Sequence, residues 1–182
     1  MSDPTVGSLR SRTQLVVVVA LVVAVIAGAI AVVNAVKLTD GSHASSNPTG
    51  TGTSALAATA TTAVAEGGQL AVDFTSFDYR TLDQDRTQTA SHLTPAFAKV
   101  YLAQSSATSP YITKIKAVSV SQVVATGLQA FSPSKHTASV DVALNDTAKN
   151  IKSPTGAVTY YRVQVQMVDQ NGQWLASNVV LE

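Results

Sequence analysis

The densest chemistry in the chain lies in "SFDYRTLDQDR", Ser76 to Arg86, where Asp78, Arg80, Asp83, Asp85 and Arg86 fall within nine residues of a protein only 13% charged. Three carboxylates and two guanidinium groups so placed could serve acid/base catalysis, one carboxylate being tuned toward neutrality by burial and a neighbouring charge. Such a site needs a second half, an imidazole or an equivalent group converging on the carboxylate. The histidines downstream, His92 one helix away and His136 in the turn-like "SPSKH", stand at spacings that do not require convergence. The plainer account is architectural. Asp78 or Thr81 caps a helix, Arg80 pairs with Asp83 three residues on, and Tyr79 and Leu82 face inward. It explains the clustering without an unseen partner, and so takes precedence over catalysis by Asp78, Asp83 or Asp85.

Composition removes other chemistries. The chain has no cysteine, which excludes disulfides, thiolate catalysis and thiolate metal sites. No glycine-rich phosphate loop, nucleophile elbow or metal-ligand pair occurs, so no metal and no cofactor is expected. Beyond Val36 the ten basic and ten acidic residues balance, leaving no basic footprint for nucleic acid. His43 has no second ligand at metal-binding spacing. Asn145, Asp146 and Thr147 form a glycosylation sequon, relevant only in a eukaryotic secretory pathway.

The elements that must position the charged segment begin with a membrane anchor. Leu15 to Val36 runs without a charge, and at about 1.5 Å per residue it reaches roughly 30 Å, the thickness of a hydrocarbon core. A cleavable signal peptide, with "VNA" at Val33 to Ala35 as its faint cleavage site, is the weaker reading because signal-peptide apolar regions run only about 7 to 15 residues. Arg10 and Arg12 before the span keep residues 1–14 cytoplasmic, which places everything after Val36 outside the membrane. Ala20, Ala24 and Gly28 form a small-residue row on the span that could admit another transmembrane helix, although alanine is common in spans. Residues 37–54, almost all small or polar, read as a flexible linker.

A folded domain follows over 55–182. "ALAATATTAVAEGGQLAVDFTSF" predicts one long helix, weakened and open to a bend at Gly67 and Gly68. Thr81 with Gln84 has capping-box spacing for a second, short helix. Thr94 and Pro95 signal a third, with Phe97, Val100 and Tyr101 on one side, and all three helices are expected before Pro110. The period then falls to two. "KAVSVSQVVATGLQAF" is valine-rich, "TASVDVALND" alternates Ala138, Val140, Val142 and Leu144 inward, and Tyr161, Val163, Val165 and Met167 do the same. Asn171 and Gly172 mark a type I′ hairpin, with Trp174 anchoring it to the core. Tyr160, Tyr161 and Trp174 could also line a ligand pocket, though strand aromatics are more often core. Helices first and an antiparallel sheet afterwards make the fold class α+β.

The order of short tail, anchor, polar linker, long helix ending in "FDYRTLDQD", "T-x-x-F" start at Thr94 to Phe97, valine-rich strands and terminal "NGQWLASNVVL" resembles the Mce-associated membrane proteins of actinobacteria. Tyr79, Arg80, Thr81, Leu82 and Asp83 and the Gly172 to Leu175 hairpin carry most of the likeness, which spans nearly the whole chain. The resemblance implies an NTF2-like cone, a curved sheet wrapped over about three helices. It also implies a non-catalytic accessory role in an Mce-type lipid or sterol import system, with Mce complex proteins, the membrane and lipid as partners. Two other classes remain open: an assembly scaffold like the VirB8 proteins of type IV secretion, and an NTF2-like enzyme acting on a small hydrophobic substrate. Two convergent ionisable groups in a pocket would favour the enzyme, and an apolar lining would favour lipid contact. The sequence sets no oligomeric state.

Overall fold

The computed structural model describes residues 52–181. The expected tail (1–14), the membrane helix (15–36) with Ala20, Ala24 and Gly28, and the linker up to residue 51 lie outside the described residues. Among the described residues no helix is long and apolar enough to cross a membrane.

Helix α1 (Gly52–Thr75) begins three residues before the expected boundary at Ala55 and runs without a break through Gly67 and Gly68. Its buried residues Ala63, Gly67, Leu70 and Phe74 recur at intervals of four, three and four, which keeps one stripe against the sheet. The glycines are the point of closest approach. A Cβ on Gly67 would stand 3.0 Å from Val140 Cβ and 3.1 Å from Met167 Sδ, and one on Gly68 would stand 3.0 Å from Thr126 Cγ2. The helix is thus continuous here, and the missing side chains admit the sheet.

Phe77, expected in the long helix, instead forms with Asp78 the two-residue strand β1 (Phe77–Asp78). Helix α2 (Leu82–Ser91) and helix α3 (Pro95–Ile115) follow. Thr81 and Thr94 occupy the N-cap positions, but neither side chain caps the backbone, and Gln84 forms no capping box. Instead of ending before Pro110, α3 continues to Ile115 with the proline inside it. Proline removes one backbone bond, yet buried Ile112 fastens the following turn to the core and Lys116 closes the helix in the left-handed region at φ 51°. Phe97 and Tyr101 turn inward, where both rings meet Phe74 at centroid distances of 6.1 and 5.2 Å. Val100, expected beside them, is exposed.

Strand β2 (Val118–Ser132), a short 3-10 turn (Pro133–Lys135), and strands β3 (Thr137–Asn150), β4 (Ser153–Gln170) and β5 (Gln173–Leu181) complete the chain. All pairs are antiparallel, in the order β1-β2-β3-β4-β5. Register places Val140 opposite Val165 and Val142 opposite Val163, and these four buried valines with Leu144, Met167 and Val179 form the sheet's side of the core. The fold is thus α+β, three helices against a five-stranded antiparallel sheet, as the sequence pattern requires. Register shifts between Val123 and Ala125 and between Leu128 and Ala130 bend β2. Filling the closest contact should show its importance. Gly67→Leu is expected to destabilise the protein by about 1–3 kcal/mol through overpacking, despite a gain of about 1 kcal/mol in helix propensity. The urea midpoint measures it.

Candidate functional site

The charged segment lies where β1, α2 and the start of β2 meet. Tyr79 donates its backbone N–H to Ala117 O at 3.1 Å, while Leu82 is buried and the Tyr79 ring packs on the core. These two residues fix the segment, and the charges then pair within it. Arg80 does not reach Asp83. Its backbone N–H donates to Asp78 Oδ1 at 2.9 Å, its Nε donates to both Asp78 oxygens at 2.9 and 3.1 Å, and a terminal nitrogen completes the fork. The hydrogen bonds from Arg80 hold Asp78 below the usual carboxylate value, with burial opposing. Two residues of separation in an extended turn suit this pair better than the helical i,i+3 spacing expected from the sequence. Asp83 pairs instead with Arg86 within α2, and Arg86 also donates to Ser109 Oγ, joining α2 to α3.

Asp85 has the organising role. Its Oδ2 accepts the Thr81 hydroxyl at 3.0 Å and the Asp78 backbone N–H at 3.1 Å, so one carboxylate ties the start of α2 to β1. Asp73, Asp78, Asp85, Thr81, Gln88 and Ser119 contribute to the walls of an open cleft of about 310 Å³ at this junction. Neither His92 nor His136 lines it. His92 ends α2, and His136 lies beyond β2 beside Asp169, its Nδ1 3.8 Å from the carboxylate. Among the described residues no group of acidic and histidine side chains is arranged to hold a metal ion.

The other sequence-selected residues separate. Asn171 and Gly172 form the β4–β5 turn with φ values of 58° and 86°, and Asp169 Oδ1 accepts the Gly172 N–H at 2.7 Å. Trp174 is buried next to Phe131, ring centroids 6.3 Å apart. Tyr160 is 76% exposed, whereas the Tyr161 hydroxyl is buried. Strand alternation turns these neighbours to opposite faces. Trp174 pairs with Asp169, eight residues along β4 from Tyr161, which is roughly 26 Å at strand rise. The three aromatics consequently do not line one pocket.

A buried polar cluster went unnoticed in the sequence. Asp146 is 0% exposed, and its Oδ1 accepts the Ser119 hydroxyl at 2.6 Å and the Ser121 hydroxyl at 2.9 Å. Thr75, at the end of α1, extends the network to Ser121 at 2.8 Å. Asp146 Oδ2 has no hydrogen-bond partner, and the Tyr161 hydroxyl has none at hydrogen-bond geometry. Burial pushes Asp146 above its ordinary value, partly offset by the two serines. Burial and the charge on Asp146 push Tyr161 up, with Thr159 opposing. The signal was legible. Continuing the inward series 138, 140, 142, 144 by one step lands on Asp146, and Ser119 and Ser121 alternate with outward residues in "VSVSQ". The arrangement joins α1, β2 and β3 through one carboxylate without a cation.

Two expected outcomes separate these roles. Asp85→Ala should cost about 0.5–2 kcal/mol, the range of a lost helix-start contact, while Asp83→Asn should change stability by under about 0.5 kcal/mol because its side chain is exposed. Thermal melting of both variants checks this. For Asp146 the sign follows from its raised pKa. The folded state keeps the proton longer than the unfolded chain, so this stabilising contribution is complete below about pH 4 and is lost as pH rises through the folded value. Asp146→Asn should remove that loss, so the stability difference between variant and parent should move in the variant's favour as pH rises toward 7. Melting curves of the pair from pH 4 to 7 measure the difference.

No known family pattern matches the chain, and no curated protein matches it. Similar folds occur among solved structures. An IcmL-like type IV secretion system protein from Legionella pneumophila subsp. pneumophila str. Philadelphia 1 superposes with a TM-score of 0.54 at 12% identity, over 67% of this chain and 91% of that one. The periplasmic domain of DotI superposes with a TM-score of 0.57 at 10% identity, over 78% of this chain and 99% of that one. At these identities the likeness is one of fold.

Proposed function

We propose that this chain is a non-catalytic, membrane-anchored assembly module whose extracytoplasmic domain works by contact with other envelope proteins, in the manner of VirB8-type secretion scaffolds. The observation that carries this reading is the fold likeness to the DotI periplasmic domain, nearly all of which this chain covers. The local chemistry supports it. Asp78, Asp83 and Asp85 are engaged by Arg80, Arg86, Thr81 and backbone, and Asp85 ties β1 to the start of α2. In this reading residues 15–36 anchor the domain with the N-terminus cytoplasmic, and residues 55–182 act outside.

A second reading, an accessory protein of an Mce-type lipid import system, is favoured by one specific observation: the "DYRTLD" and "NGQWL" segments that resemble Mce-associated proteins. The two readings differ in partner and agree on mechanism, docking without turnover. The intact protein should be extracted from its native membrane in mild detergent, and the proteins and lipids that accompany it identified. Co-purification of secretion-system components is expected under the first reading, and Mce components with bound lipid under the second. Recovery without any envelope protein, from cells whose envelope complexes are unchanged when the chain is deleted, would overturn both.

A further inference from the structure

The two edges of the sheet are treated differently. At the β5 edge Leu93 forms a parallel bridge with Ala176. Thr94 N–H donates to Ala176 O at 2.8 Å and Ala176 N–H donates to His92 O at 3.0 Å, so the loop between α2 and α3 covers the middle of β5. At the β2 edge the cover stops early. β1 pairs only with Val118 and Ser119, and Ser76 Oγ accepts the Ser121 N–H at 3.0 Å. Beyond that point β2 pairs with β3 on one side, and no strand of the described residues lies on the other.

An edge of this kind is a template for another strand, and folded proteins ordinarily blunt it with lysine, proline, bulges or a covering segment. Between Lys116 and Lys135 there is no charged residue, and no proline occurs before Pro133. Every residue from Gln122 to Ala130 is exposed, including Val123, Val124 and Leu128 at 43%, 61% and 40%. Two bulges bend the strand but leave Ala125 to Leu128 in regular register with β3.

We propose that the outer edge of β2 pairs antiparallel with β2 of a second copy of this chain, making one continuous sheet through a two-fold dimer. The charge pattern selects this occupant. In a two-fold antiparallel pair the residue on the axis meets itself and its neighbours meet near-identical positions, so any charge there would face its own copy. β2 carries none, whereas β3 has Asp141 and Lys149 and β4 has Arg162. A different strand selected by opposite charge would find no charge here to pair with. Backbone donors and acceptors flanked by valine and leucine are what the edge presents, and its own copy presents the same in return. The pairing deepens the assembly reading without depending on which envelope proteins the dimer serves.

The chain has no cysteine, so single substitutions from Gln122→Cys to Ala130→Cys each give one reactive thiol. These variants of the full-length protein, oxidised in native membranes, should form a disulfide-linked dimer whose yield peaks several-fold above background at one or two positions nearest the axis. Tyr160→Cys and Val180→Cys, exposed on β4 and β5, should stay at background. Melting curves in mild detergent confirm that each variant is folded, and light scattering of the unmodified protein should give the mass of two chains. A monomeric mass, equal cross-linking at Tyr160, or an adduct with a chain of another mass would overturn the proposal. A dimer that carries no envelope protein would leave it standing and would count against the assembly reading instead.

Discussion

Helix α1 lies against the sheet because Gly67 and Gly68 present no side chain to Val140, Met167 and Thr126. Most of the domain follows from that contact. With the helix axis this close, Leu70, Ala71 and Phe74 reach the inner face of the sheet and the Phe74 ring meets Phe97 and Tyr101 from α3. Burial of Leu70 and of Phe74 contributes about 1.5–3 kcal/mol each, and the two glycines offset only about 1 kcal/mol each in helix propensity. The balance favours the close approach. It also explains why a sequence feature that ordinarily weakens a helix occurs in the middle of this one.

The end of the same helix determines where the polar groups go. Thr75 is the last residue of α1 and joins the Ser121–Asp146 network, while Ser76, one residue on, accepts the Ser121 N–H. The chain then reverses into β1, and Asp85 secures the reversal from the far side by accepting both Asp78 N–H and the Thr81 hydroxyl. Two carboxylates thus serve the junction in different ways. Asp85 stands at a partly open surface and bridges elements, and Asp146 is enclosed and leaves one oxygen without a partner. Enclosure without a cation is unfavourable for the charged form, which couples the protonation of Asp146 to the packing of α1, β2 and β3.

The proposed contact role calls for a surface that the chain itself leaves open. The helix side of the sheet is filled, and the middle of the β5 edge is covered by the loop from His92 to Thr94. β2 is the long strand left with an open side among the described residues, because β1 ends after two residues. The fold likeness is to domains of secretion-system proteins, and the sequence resemblance is to Mce-associated proteins. Both are compatible with a domain whose β2 edge exposes Val120, Val123, Val124 and Leu128.

Much of the architecture was legible because it rests on local rules. Period-two alternation set the inward faces of β3 and β4, Asn171–Gly172 set the last turn through positive φ, and helices before strands set the α+β class. Local rules failed where a distant contact competed with them. Pro110 did not end α3 because the burial of Ile112 sustains the next turn, and Phe77 left the helix because β2 offered it a strand partner. Arg80 chose Asp78 over Asp83 since the turn, rather than helical spacing, sets which carboxylate its guanidinium can reach. The sequence by itself determined which residues alternate, turn and cluster. The tertiary structure decided which carboxylate is enclosed and which edge stays open, because both depend on segments far apart in the chain arriving at the same place.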